Sequence, residues 1–471
     1  MMKKGSQAEL ISYNLNGMEI CASAARISTT KGDAVEIFEK AKGHPKNQEL
    51  IQKVFASGHK SVIEHAVFTL ALKDVSAFVE QFFIECRLAS FTVKSRRYVD
   101  FSNLGYHIPE DLQGEDLRQY CRYMDMLFSA YHTLLGGGIP KEDARFLLPY
   151  SFHSNFYCTL NARELFQVLS AIRCGRGQGI PELQDLADQI ILQAEKILPG
   201  VFSSLADKNT SSAGVSSSVS TADAQDDADV LDYMNNDYIN HVQNMPDTLS
   251  FVTPQEAGSI RLLNAPSDPS AILNTAYSMT HPGSDRIPDP GALLRSQRPR
   301  ELEQLTYSFL ISDVTLSGIT HIVRHRMQSI IIPSIRTIDH SKFIFPDTIR
   351  SDAHMSEVYE QALRQANDMA KQMYQNPVLR RYSCYYALSG NVMDVMTTLN
   401  ARELKHFIQL RTCSRAQWEI RKISVEILKA LRNSCPELFN FFGPSCYVNG
   451  FCPEGKMTCG NMKQVAEQFR P

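Results

Sequence analysis

The spacing of apolar positions switches from two to three and four at matching points, twice along the chain. Glu64–Leu72 (EHAVFTLAL) and Glu303–Ser312 (EQLTYSFLIS) interleave β-branched and aromatic residues with polar ones, the pattern of half-buried strands. Beyond each, the apolar residues move to helical spacing: Val75, Phe78, Val79, Phe82 and Phe83 first, then Ile319, Ile322 and Val323. Helices are also predicted over ELKHFIQL from Glu403 and over AQWEIRKISVEILKALRN from Ala416, whose apolar stripe is long. There is no regular βαβ rhythm and no GxGxxG turn. The pattern therefore predicts an α+β fold, each domain a mixed sheet with packed helices, rather than a doubly wound nucleotide fold.

Comparing the chain with itself explains the recurrence. LNAREL at Leu160–Leu165 returns at Leu399–Leu404, 239 positions on, and the same offset carries Glu64 onto Glu303, Arg87 onto Arg326, Ser90 onto Ser329, Ser95 onto Ser334 and Arg97 onto Arg336. One register held over this span means two copies of one domain, because chance matches scatter in offset. Between them runs SSLADKNTSSAGVSSSVSTADAQDDAD, from Ser203 to Asp229, too polar to offset the entropy of ordering. The expected organisation is a first domain over 1–204, a linker over 205–229 and a second domain over 230–471.

Composition narrows the class of function. The 471 residues are 43% hydrophobic and 21% charged, enough for a substantial core and too apolar for a disordered chain. Forty-eight Lys and Arg against 51 Asp and Glu leave a formal net charge of -3, so no global basic field draws nucleic acid or an anionic membrane. Any anion must meet a local site. MMKKGSQAELISYNLNGMEI has no apolar run of signal-peptide length, and a cytoplasmic protein is expected. Eleven cysteines, an odd number, then read as reduced thiols. Cys446, Cys452 and Cys459 are spaced more loosely than zinc-binding CxxC pairs, and no metal is assigned. His281, His340 and His354 lack partners at ligand spacing, and Trp418 falls in an apolar stripe.

The strongest concentration of chemistry is RHRMQSIIIPSIR, Arg324–Arg336. Its arginines offer planar forks for phosphate and its serines add hydroxyl donors, which suits an anionic, phosphorylated ligand. A solvated helix end, with arginines near the negative end of the dipole, has the same spacing. The IIIP run inside it predicts burial. Asn161 with Arg163 repeats Asn400 with Arg402, a pair that can either line a site or fix a helix start.

Arg324, His325 and Arg326, followed by seven residues and Ser334, resemble the signature of the flavin-dependent thymidylate synthases. AARIS at Ala24–Ser28, GHKSVIEH at Gly58–His65, SRRY at Ser95–Tyr98, both LNAREL segments and LRTCSRAQWEIR at Leu410–Arg421 are similar to family segments. The likeness covers nearly the whole chain outside the linker. It implies methylation of dUMP to dTMP, with methylenetetrahydrofolate supplying the carbon, NADPH the electrons and FAD carrying the hydride. It further implies flavin contacts at His59, Ser61, Glu64, Asn161, Arg163, Arg324, His325, Arg326, Asn400, Arg402 and His406. Nucleotide contacts would be Ser95, Arg97, Arg145, His321, Ser334 and Arg336, with Arg411 assisting ionisation at the pyrimidine N3. A fixed cation there favours the anion.

The copies depart from this pattern in different places. The first has Glu85-Cys86-Arg87 for RHR and Ile172 for Arg411, with Arg173 one position out. It keeps His59, Ser61 and Glu64 where the second has Arg298, Arg300 and Glu303, and Arg145 where the second has Cys384. The resemblance therefore implies sites shared between copies, in a homodimer acting as a pseudo-tetramer. His321 replaces a glutamine usual three residues before RHR, and Ile332 a common glutamate. These keep a second reading open: a degenerate paralogue that binds flavin or nucleotide, or one that methylates a different pyrimidine nucleotide.

Overall fold

A computed structural model describes residues 5–206, 248–284, 287 and 289–470, so nearly all of the expected linker lies outside the described residues. Two compact units result. One holds the described residues of Met1–Asp247 with Glu357–Leu388, the other Thr248–Ser356 with Ser389–Pro471.

In the first unit, β1 (Gln7–Tyr13), β2 (Val67–Ser76), β3 (Ser90–Val93) and β4 (His153–Asn161) form a sheet in the order β1-β2-β4-β3, antiparallel at every pair. In the second, after β5 (Ser250–Val252), β6 (Ser259–Asn264), β7 (Thr306–Thr315), β8 (Gln328–Ile331) and β10 (Val392–Asn400) repeat it as β6-β7-β10-β8, also antiparallel. A parallel pair, β5 with β9 (Lys342–Ile344), makes the second unit's strands mixed. The duplication read from LNAREL is thus a duplication of topology.

Each sheet follows from period-two alternation. Phe68, Leu70 and Leu72 of β2 and Phe156, Cys158 and Leu160 of β4 fill one face, each large side chain contributing about 1.5–3 kcal/mol by burial. The other face keeps polar cross-strand pairs at equivalent positions, Thr69 with Thr159 at 3.0 Å and Ser308 with Thr398 at 2.8 Å. A bulge recurs too. Asp74 and Asp313 are the only non-glycine residues at positive φ among those described, at 50° and 56°, their N–H groups bonded to Asn155 and Asp394. Both strands then run straight into helices, Ala77–Ile84 capped by Ser76 and Leu316–Ile322 capped by Thr315.

Three details differ from the pattern reading. Glu64 and Glu303 sit in 3-10 turns, Lys60–His65 and Arg300–Gln304, just before the strands, since the buried Ile63 and Leu302 of these turns imitate strand alternation. The IIIP run is not buried throughout. Ile331 is 66% exposed, because β8 is an edge strand with one open face. Finally, the helices Gly114–Gly136 and Ala353–Gln375, both 23 residues long, are repeat equivalents, yet most of the latter clusters with the first unit. There Tyr123 donates to the Tyr386 carbonyl at 2.6 Å and Tyr385 to Glu182 at 2.8 Å. Compactness divides the chain at other points than the repeat does.

Burial pushes the Glu182 carboxyl up, but His107 and bonds from Ser6 and Ser76 outweigh it and hold the group below its ordinary value. Glu419 plays the equivalent part in the second unit, accepting from Thr315 N at 2.8 Å and Thr315 Oγ1 at 2.6 Å. Among the described residues, no helix is long and apolar enough to cross a membrane.

Candidate functional site

The RHR segment lies in the turn between the helix Leu316–Ile322 and β8, with Arg324 and Arg326 exposed and His325 only 3% exposed. Under this turn, Gln328 donates to the Ile322 carbonyl at 2.6 Å and accepts from Thr397 at 2.6 Å, pinning the start of the strand. The His325 ring stands edge-on to Phe407, centroids 4.7 Å apart. Its Nε2 lies 3.0 Å from Arg411 Nε and its Nδ1 3.0 Å from Glu403 Oε1. Arginine only donates, so Nε2 accepts, Nδ1 carries the proton and donates to Glu403, and the ring is neutral. Burial holds the imidazole below its ordinary value; Glu403 opposes this, while Arg411 and His406 reinforce it.

One helix, Ala401–Arg411, supplies most of the remaining groups. Asn400 caps it by accepting from Glu403 N at 2.9 Å, and Arg402 is ion-paired with Glu303. Glu403, Phe407 and Arg411 follow at intervals of four, one face turned to His325. Arg411 Nη2 also donates to the His321 carbonyl at 3.3 Å. His406 is exposed, its ring 5.6 Å from that of His325. Burial, and then Arg402, lower the Lys405 ammonium, a sign of crowded positive charge.

Further along, Ser334 caps its own 3-10 turn, Ile335–Thr337, accepting from Arg336 N at 3.3 Å. Arg336 is half-buried, and its Nε is buried without a hydrogen-bond partner among the described residues. A buried cationic donor left unmet costs its desolvation, which an anionic ligand would recover.

The first unit keeps the scaffold and changes the chemistry. Asn161 caps the helix Ala162–Cys174 through Glu164 N at 2.9 Å, and Arg163 meets Glu64 at 2.5 Å, as in the other copy. Cys86 and Ile172 stand where His325 and Arg411 stand, and burial pushes the Cys86 thiol up to about 12. Glu85, at the place of Arg324, is ion-paired with Arg176 and accepts from Gln81 at 2.7 Å. Arg173 is no substitute for Arg411. It is 2% exposed and holds the Leu205 carbonyl, Gln184 and Asp188, because its position on the helix faces the core.

Glu142 gathers the other predicted groups of this unit. Its carboxylate pairs with Arg97 Nε at 2.8 Å and its carbonyl accepts from Arg145 Nε at 3.0 Å, while Arg97 N bonds to Ser95 Oγ at 3.3 Å. Ser95, Arg97 and Arg145 thus share one cluster, with Arg145 buried. His59 and Ser61 are exposed at the turn before β2. Sequence reasoning missed Glu403, Gln328 and Glu142. Glu403 carried a signal, since it repeats as Glu164 inside LNAREL.

The second unit therefore presents exposed guanidinium groups, a half-buried one whose Nε is unmet among the described residues, and an arginine fixed by a neutral histidine, all suited to an anionic, phosphorylated ligand.

The sequence profile of the family described as thymidylate synthase complementing protein matches residues 9–200 and 290–437. A flavin-dependent thymidylate synthase of Geobacter sulfurreducens is 32% identical over 173 residues, 36% of this chain and 74% of that protein. Another, of Saccharolobus solfataricus, is 29% identical over 196 residues, 41% of this chain and 74% of that protein. Among solved structures, the UMP/dUMP methylase PolB from Streptomyces cacaoi, bound with 5-Br dUMP, aligns at 25% identity over 43% of this chain and 96% of that one, with a TM-score of 0.36.

Proposed function

The chain belongs to the thymidylate synthase complementing protein family, and from that membership we propose that it methylates dUMP to dTMP, taking the carbon from methylenetetrahydrofolate and electrons from NADPH by way of FAD. The observation that carries the reading is the second copy's retention of Arg324, Arg326, Ser334, Arg336 and an immobilised Arg411 together. A flavin dinucleotide fits the charge available: Arg324, Arg326 and His406 are exposed, and Arg402 stands on the same helix as His406. These residues, with His59, Ser61, Glu64, Asn161, Arg163 and Asn400, would hold it. When bound, FAD supplies the hydride chemistry that no side chain offers.

The protein's part is placement and charge. Ser334 and Arg336 would bind the nucleotide phosphate, with Ser95, Arg97 and Arg145 of the first copy complementing them. Arg411 would stabilise negative charge on the pyrimidine N3. Arg145→Ala should weaken nucleotide binding by about tenfold, the worth of one charge-assisted bond, in an equilibrium titration; unchanged affinity removes Arg145 from the nucleotide site.

The test of the reading is the visible spectrum of the purified protein, followed by anaerobic NADPH reduction with and without dUMP. Flavin absorbance that bleaches faster with dUMP supports it. A colourless protein that takes up no FAD overturns it. His321 and half-buried Ile332, in place of polar residues usual beside the nucleotide, favour a second reading in which another pyrimidine nucleotide is methylated. Faster bleaching with UMP than with dUMP would select it.

A further inference from the structure

We propose that His325 is a positioning residue for Arg411 rather than a flavin contact, and that Glu403, His325 and Arg411 act as one relay that sets how tightly the pyrimidine is gripped. The inference deepens the proposed function and rests on its reading that Arg411 meets the pyrimidine ring.

Geometry comes first. Both nitrogens of the 3% exposed ring are engaged by the protein, Nδ1 by Glu403 and Nε2 by Arg411, each at 3.0 Å. The two arginines beside it in sequence are exposed, so the turn sends its cations outward and its imidazole inward. Arginine is a long side chain with many rotamers, and a guanidinium bound at Nε by an anchored acceptor has lost most of that freedom before any ligand arrives. Phe407, edge-on to the ring, fixes its tilt.

The duplication gives an independent reason. In the first copy, histidine and arginine are gone together, as Cys86 and Ile172, while the glutamate persists as Glu164. Without an imidazole to meet, Glu164 has its carboxyl pushed up by burial, with Leu88, Arg163 and Arg87 opposing. The first copy, which also carries Glu85 in place of Arg324, has thus lost imidazole and guanidinium together, as a pair in which one serves the other would be lost.

Protonation should matter with a definite sign. The charged or titratable groups facing the ring are Glu403, Arg411 and His406. While neutral, Nε2 accepts from Arg411. Once protonated, Nε2 can only donate, and two cations then face each other. The relay is therefore intact at neutral pH and opens as pH falls below the ordinary histidine range.

The test uses the full-length protein as purified, with dUMP affinity measured by titration and flavin content by visible absorbance, for R411A, H325L, the H325L/R411A double variant and H325Q. R411A should weaken dUMP binding at least roughly tenfold, the worth of a lost charge-assisted bond. H325L should lose a comparable amount without losing flavin. The double variant should be no worse than R411A, because coupled residues are non-additive. H325Q, whose amide oxygen can accept from Arg411, should stay within about threefold of wild type, and its affinity ratio to wild type should change as pH is lowered, the phosphate's own titration being common to both.

Unchanged affinity in H325L, multiplied losses in the double variant, or flavin loss as the main effect overturns the relay. If H325L does not fold, the H325Q ratio decides, and a ratio independent of pH overturns it. R411A binding dUMP like wild type overturns the reading of Arg411 and the relay with it, a result distinct from failure of His325 alone.

Discussion

The two copies have exchanged their buried polar networks. In the first, Glu80 is 1% exposed, paired with Arg96 at 2.7 Å and bonded by Ser154, and Arg96 lies 4.7 Å over the Phe152 ring. The repeat equivalents in the second are Ile319, Ile335 and Met393, all buried. Conversely, the Glu403-His325-Arg411 relay of the second copy becomes Glu164, Cys86 and Ile172 in the first. One fold tolerates an ion pair or a hydrocarbon at the same core position, because the desolvation of a buried pair roughly cancels its attraction. Polar groups in such a scaffold are therefore informative about use only where they are aimed at something beyond the core. Arg411 belongs to an anchored chain ending near an exposed cationic turn; Arg96 ends on Glu80 and an aromatic ring.

That comparison can be broken by swapping its parts. Arg96→Leu alone strands the Glu80 carboxylate in the core and should cost about 3–5 kcal/mol, whereas Glu80→Ile with Arg96→Ile should recover to near the wild-type value. Denaturant unfolding of the full chain separates the two cases, and a double variant as unstable as the single would show that the first core requires its ion pair.

Second in size is an effect of pH. His340, 2% exposed, occupies the position of Phe101 in the first copy, and burial lowers its imidazole to about 4, with Asp339 opposing. Because the folded value lies below the unfolded one, the unfolded chain takes up the proton first as pH falls. The stability present above the ordinary histidine value is then lost progressively down to about 4. The loss should be roughly 3 kcal/mol, since each pH unit separating the folded and unfolded values is worth about 1.4 kcal/mol. His340→Phe, which copies the first core, should flatten the acid limb of a stability profile; an unchanged slope would assign it to carboxylates.

A smaller difference is expected between the two Ser-x-Arg segments. Arg336 has a buried Nε with no hydrogen-bond partner among the described residues, while Arg97 is already paired with Glu142. Arg336→Ala should weaken nucleotide binding by about tenfold or more, and Arg97→Ala by less, since the Arg97 guanidinium is already met by the Glu142 carboxylate. Equal losses in a binding titration would make the segments equivalent. The smallest effect concerns the bulges. Asp74→Gly relieves a positive φ and should stabilise by about 0.5–1 kcal/mol. Asp313→Gly should gain nothing net, because it also removes the bond from Lys342 to Asp313 at 2.5 Å.

Much of the molecule was legible in its residues. LNAREL and a constant offset announced the duplication, period-two and helical spacing located β2, β7 and the helices behind them, and the RHR run marked where the second copy gathers its arginines. Local periodicity suffices there, since one face of each element must be buried. It failed at Glu64 and Glu303, where a 3-10 turn with one buried apolar residue mimics a strand start, and at IIIP, where only the strand order reveals an edge.

Two copies, the elements of each and the residue types that differ between them can be read along the chain. What those residues do for one another emerges only on folding: Arg173 serves the core, Glu142 gathers Arg97 and Arg145, and His325 faces inward to Glu403 and Arg411. Side-chain direction at a turn depends on the packing around it, and pairings between residues 78 and 86 positions apart leave no period to read. The grouping of Glu357–Leu388 with the first unit was equally beyond reach. An apolar helix face encodes that it must be covered, not which copy covers it.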